Sequence, residues 1–133
     1  MRRQSREIAL QVLFQVEYAP QISFNDLINL FEQNRDQSLV KYADIIVRGV
    51  GQYREKIDHK IQEASRHWKI ERMGGVDRNI LRMAVYEMFY ADELIEPKIA
   101  INEAIEIAKI FGTQESASFV NGLLDQVVRN ERK

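Results

Sequence analysis

Cysteine is absent from the chain, which excludes disulfides, thiolate metal ligands and thiol nucleophiles. A reducing cytoplasm is the setting this agrees with. Proline occurs only at positions 20 and 97, so few positions are barred to helix. No apolar run approaches the roughly 18 residues that a membrane-spanning helix needs. The start, MRRQSREIAL, lacks the long apolar core of a signal peptide, so export is not expected. Phosphate-cradling signatures are missing too: there is no glycine-rich loop followed by Lys-Ser/Thr, and no GxGxxG. His59 and His67 have no Cys or acidic residue at a metal-binding spacing, and neither pairs with a serine in a recognisable motif. Glu103 and Glu106 stand one helical turn apart and could in principle cooperate as acid and base, but nothing around them suggests a pocket. No cofactor, metal or enzymatic activity is expected.

An excess of charge of one sign is also lacking. Nineteen Lys and Arg oppose twenty Asp and Glu, for a net charge of −1. The charges are segregated, however. Arg2, Arg3 and Arg6 precede the first acid, Glu7. Arg66, Lys69, Arg72, Arg78 and Arg82 outnumber Glu71 and Asp77, and from Met83 to Ala108 the sign flips to Glu87, Asp92, Glu93, Glu96, Glu103 and Glu106 against Lys98 alone. Separate positive and negative regions suit a molecule that holds an anionic and a cationic partner together, although each cluster alone could simply solvate a helix face.

What the 133 residues do contain is helical periodicity nearly throughout. The first helix is expected from about Arg3 to Ala19, with Ile8, Ala9, Val12, Leu13 and Val16 inward. Beside that stripe lie Arg3, Arg6, Leu10, Phe14 and Tyr18, a basic-aromatic strip that could meet phosphate and stack, or pack on another helix. Ser23 reads as the cap of a second helix burying Leu27, Leu30 and Phe31 and ending in Gln33-Asn34-Arg35-Asp36. A third helix from Ser38 presents Leu39, Tyr42, Ala43, Ile46, Val50 and Tyr53, and Gly49 and Gly51 mark a bend or close crossing. A fourth carries Ile57, Ile61 and Ala64 towards His67-Trp68. After Gly74-Gly75, Asp77 reads as the cap of a fifth helix, with Ile80, Leu81, Ala84, Val85 and Met88 inward and a second basic-aromatic strip of Arg78, Arg82, Tyr86 and Tyr90. Two helices follow. The first buries Ala100, Ile101, Ala104, Ile105, Ala108 and Phe111; Gly112 reads as its left-handed end and Thr113 as the next cap. The last buries Phe119, Val120, Leu123, Leu124 and Val127, and Gly122 is read as room for another backbone.

The strings REIALQVLFQ, IIVRGV, VDRNILRMAVYEM, AINEAIEIAKIFG and FVNGLLD resemble the NusB family of bacterial transcription antitermination factors over nearly the whole length. The resemblance implies an all-α fold of about seven helices arranged as two packed three-helix bundles, one domain with subdomains 1–66 and 67–133. It also implies an RNA-binding adaptor that pairs with NusE, a small-subunit ribosomal protein. With NusE it would hold boxA-type single-stranded RNA of ribosomal RNA leaders within the RNA polymerase antitermination complex. By the same resemblance, RNA contacts fall on Arg2, Arg3, Arg6, Glu115 and Phe119, and NusE contacts on Phe14 and Asp77. Phe119 is core by periodicity and RNA-facing by resemblance. Gln4 stands where relatives often carry another Arg, Phe14 lacks a tyrosine's hydroxyl, and Asp77 is a shorter acid than Glu.

Two other readings remain open. One is a helical protein–protein module, or a homodimer that covers its own arginines. The other is enzymatic, since a similar domain precedes the catalytic half of some ribosomal RNA methyltransferases; this chain carries no such half.

Overall fold

The computed structural model describes residues 2–32 and 37–132. The Gln33–Asp36 stretch lies outside the described residues, as do the side chains of Leu30 and Phe31. Seven α-helices carry the fold: α1 (Arg2–Tyr18), α2 (Phe24–Glu32), α3 (Gln37–Gln52), α4 (Arg54–Ala64), α5 (Gly75–Phe89), α6 (Pro97–Phe111) and α7 (Ser116–Glu131). A single 3-10 turn, Ile70–Arg72, precedes α5, and no strand occurs among the described residues. No described helix is long and apolar enough to cross a membrane.

α5 is the axis of the molecule. It packs against α1, α3, α4, α6 and α7, and every residue from Arg78 to Met88 is buried. Ile80, Leu81 and Val85 are wholly enclosed, and each such side chain contributes about 1.5–3 kcal/mol relative to exposure. Around this axis α1, α2 and α3 pack on one another, while α6 and α7 form an antiparallel hairpin against α4 and α5.

Full enclosure of α5 corrects the reading of its flank. Arg78, Arg82 and Tyr86 are 8%, 4% and 6% exposed, so three members of the second basic-aromatic strip are interior and the fourth, Tyr90, is half-buried. Helical spacing alone could not show this, because a helix buried on all sides has no outer face. Arg82 instead ties three helices together, donating from Nε to Asp58 Oδ1 of α4 at 2.8 Å and from Nη1 to Glu17 Oε2 of α1 at 2.9 Å. Arg78 also pairs with Glu17 and donates to the Met73 carbonyl at 2.7 Å, which anchors the turn before α5.

Several caps differ from expectation. Ser23 does cap α2, its Oγ accepting from the Asp26 N–H at 3.2 Å. Asp77 does not cap α5: the helix begins at Gly75, so Asp77 sits inside the first turn, where its charge still favours the helix N-terminus. Gly112 ends α6 in an extended conformation (φ −93°, ψ −168°) rather than a left-handed one. Thr113 does not cap α7: Glu115 holds that position without a side-chain cap bond, and the Thr113 N–H instead donates to Ser116 Oγ at 2.8 Å within the turn. Gly122 is exposed with open space above it, and no backbone approaches. A close crossing does occur at Gly49, whose missing side chain leaves room for the Tyr86 ring.

Candidate nucleic-acid interface

The N-terminal turns of α1 lie across α3, α5 and α6, and the three arginines there have different fates. Arg6 is 4% exposed. Its Nε donates to Glu87 Oε1 at 2.8 Å and its Nη2 to Oε2 at 2.9 Å, while Nη1 reaches Glu103 Oε1 at 3.3 Å. The Tyr42 hydroxyl donates to the same Glu87 Oε2 at 2.5 Å. Burial works against the Arg6 charge, but the bonds and charge of Glu87 outweigh it and hold the guanidinium above its ordinary value. Burial and the Glu87 bond also push the Tyr42 hydroxyl up to about 12.

Arg3 grips Glu103 through two parallel bonds, Nη2 to Oε2 at 2.7 Å and Nε to Oε1 at 3.1 Å, with its side chain 41% exposed. Arg2 is exposed and lies over the Tyr42 ring, its guanidinium 4.5 Å from the centroid. The start of α1 therefore presents two accessible cations on a base fixed by a third. Arg6 and Leu10, read from spacing as part of an outer strip, both belong to the interior. Phe14 is half-buried, and only Tyr18, 61% exposed, stands clear.

Glu103 makes the attachment pH-sensitive. The hydrogen bond from Arg3, opposed by partial burial and aided by the charges of Arg3 and Arg6, holds its carboxyl below the ordinary value of 4.5. A depressed folded value means the unfolded chain binds its proton at higher pH, so this stabilisation is complete above the ordinary glutamate range. It is lost as pH falls through the lower folded value. Glu103→Gln is therefore expected to flatten the fall in stability below about pH 4.5, read by urea unfolding across an acid pH series. An unchanged acid-side slope would contradict the pairing.

The remaining expected residues cluster elsewhere. Trp68, Arg72, Met73, Asp77, Glu115 and Phe119 line one open groove of about 250 Å³. Phe119 is half-buried, packing on the core and also lining the groove. Asp77, expected to face NusE, thus shares a groove with Glu115 and Phe119, expected to face RNA. Phe14 and Tyr18 pack nearby with tilted rings, centroids 4.6 Å apart, against Gly75. No described contact joins this groove to the Arg2–Arg3 end.

Trp68 is the groove residue that sequence reasoning did not single out. It is 58% exposed, yet its carbonyl is braced by Ser65 Oγ at 2.7 Å and Gln62 Nε2 at 3.0 Å. The available signal was a lone tryptophan in a short basic connection between helices. The Glu103–Glu106 pair, by contrast, does not form an acid–base site: Glu103 serves Arg3 and Arg6, and Glu106 pairs with Lys109. Among the described residues no cluster of His and acids could hold a metal.

Comparison with known proteins matches the arrangement to one family. The NusB family model covers residues 3–129. A transcription antitermination protein NusB of Bdellovibrio bacteriovorus is 62% identical over 95% of this chain and 93% of its own length. That of Myxococcus xanthus is 44% identical over the same shares, 95% and 93%. Among solved structures, T. maritima NusB superposes with a TM-score of 0.84 at 34% identity, covering 97% of this chain and 91% of that one. The antitermination factors NusB and NusE in complex with dsRNA give a TM-score of 0.82 at 23% identity, over 97% and 96%, a likeness of fold. With its family model spanning nearly the whole sequence and relatives this similar, the chain belongs to the NusB family of transcription antitermination proteins.

Proposed function

We propose that this chain is an RNA-binding adaptor of a transcription antitermination complex, working without catalysis in the cytoplasm, where transcripts emerge. It pairs with NusE and holds boxA-type single-stranded RNA. The observation that carries this reading is the α1 start: Arg2 and Arg3 stand at the surface while buried Arg6, locked on Glu87, fixes their position. Cations held in place lose little entropy on meeting phosphate, and each phosphate neutralised releases counterions. Arg6 itself acts here as a positioning residue. Glu115 and Phe119 offer a carboxylate and a ring edge to unpaired bases, and Phe14 and Asp77 form the neighbouring surface for NusE.

The test is fluorescence anisotropy of a labelled boxA-type RNA, with and without NusE, at about 50 and 200 mM salt. The expected result is binding that tightens with NusE and weakens steeply with salt, while an unlabelled duplex of the same sequence competes poorly. No binding in either condition, together with a dimer by sedimentation, would instead favour the self-associating protein module.

A further inference from the structure

Beyond that reading, we propose that the groove between the start of α6 and the end of α7 is a docking site for an acidic, aliphatic peptide segment of another protein. The groove holds about 400 Å³ and lies at the end of the α6–α7 hairpin opposite the Gly112 turn. Its floor is apolar, formed by Pro97, Ile101 and Val128, and Ile99 on the next position of α6 is 52% exposed. Its rim carries Lys98, Arg129 and Arg132 against a single acid, Asp125.

Many cations elsewhere in this fold are spoken for: Arg6 by Glu87, Arg82 by Asp58, Lys60 by Glu131, Lys109 by Glu106. The charged ends of Lys98, Arg129 and Arg132 make no ion pair or side-chain hydrogen bond among the described residues. Even Asp125, one turn before Arg129, does not pair with it. Three cations of one sign on an apolar floor attract carboxylates interleaved with aliphatic side chains. The first turn of α6 adds to this, since no side chain caps it and its free N–H groups favour a negative ligand. Asn102 and Asn121 supply amide donors and acceptors for a peptide backbone, and Asp125 an acceptor for its N–H.

A peptide fits these features better than RNA does. Among the described residues no aromatic ring lines the groove to stack a base, and Asp125 repels a continuous phosphate chain.

The test titrates isotope-labelled full-length protein with acetyl-Leu-Glu-Asp-Ile-Glu-Leu-Glu-amide, reading backbone amide shifts by NMR. Saturable shifts centred on Asn102, Asn121 and Asp125 are expected. The affinity should fall at least about tenfold in the Lys98→Glu/Arg129→Glu variant, and by a smaller factor in Lys98→Gln/Arg129→Gln, which guards against misfolding of the first. Both variants should keep the parent's boxA RNA affinity, which separates this site from the α1 arginines. The proposal is overturned if no shift appears at those residues, or if a peptide with Gln for every acid shifts them equally. It is also overturned if a boxA-type RNA, rather than the peptide, is what moves them.

Discussion

Glu87→Ala is expected to lose about 3–5 kcal/mol of unfolding free energy, because it strands the Arg6 guanidinium in the interior with only a weak second partner. Glu87 is 2% exposed and accepts from both Arg6 and Tyr42, so its removal also takes the partner from the hydroxyl of the half-buried Tyr42. Glu103 at 3.3 Å is too distant and too wet to replace it. A domain of this size has a total stability of about 5–15 kcal/mol, so the variant should be close to unfolding at physiological temperature. Urea unfolding reads this as a lower midpoint at unchanged slope. The triple replacement Arg6→Met, Tyr42→Phe and Glu87→Met should lose far less than Glu87→Ala alone, since it removes the whole polar set rather than one partner. A Glu87→Ala loss below about 1 kcal/mol would show that the network is not desolvated as described.

Gly49→Ala should be the second most damaging small change. The added methyl would collide with the Tyr86 ring, whose hydroxyl oxygen would lie 2.7 Å away, and Tyr86 is only 6% exposed and has nowhere to retreat. Overpacking of this kind costs about 1–3 kcal/mol or more. Gly51, two residues on in the same helix, has nothing within 4 Å of its would-be Cβ. Gly51→Ala should therefore stabilise by about 0.5–1 kcal/mol through helix propensity alone. Opposite signs at two glycines of one helix, read in the same melting experiment, would confirm the α3–α5 contact; equal signs would contradict it.

The helices were legible because most have one apolar face. α6 shows this plainly: Ala100, Ile101, Ala104 and Ala108 recur at helical steps and are buried. α5 was legible as a helix but not as the axis, because Arg78, Arg82 and Glu87 look like surface residues until their partners on other helices are known. The same blindness affected Arg6. A sequence shows charges but not the pairing of residues 81 positions apart that lets one of them enter the core. The groove holding Asp77, Glu115 and Phe119 was half legible. These three were named and Trp68 was not, and their meeting depends on the α6–α7 hairpin returning beside the loop that carries Trp68. Glycines were the least legible: their sequence signal is identical at Gly49, where a ring needs the space, and at Gly122, where nothing does.

The central claim is that Arg2 and Arg3, set by the buried Arg6–Glu87 pair, hold RNA phosphates. Its most direct test is the salt dependence of boxA RNA binding, in the presence of NusE, for the parent chain and for Arg2→Ala/Arg3→Ala. The expected result is a weaker complex whose log–log salt slope is shallower by about 0.7 for each phosphate no longer neutralised, with urea stability nearly unchanged. An unchanged slope and affinity would contradict that claim and leave these arginines to Tyr42 and Glu103 alone.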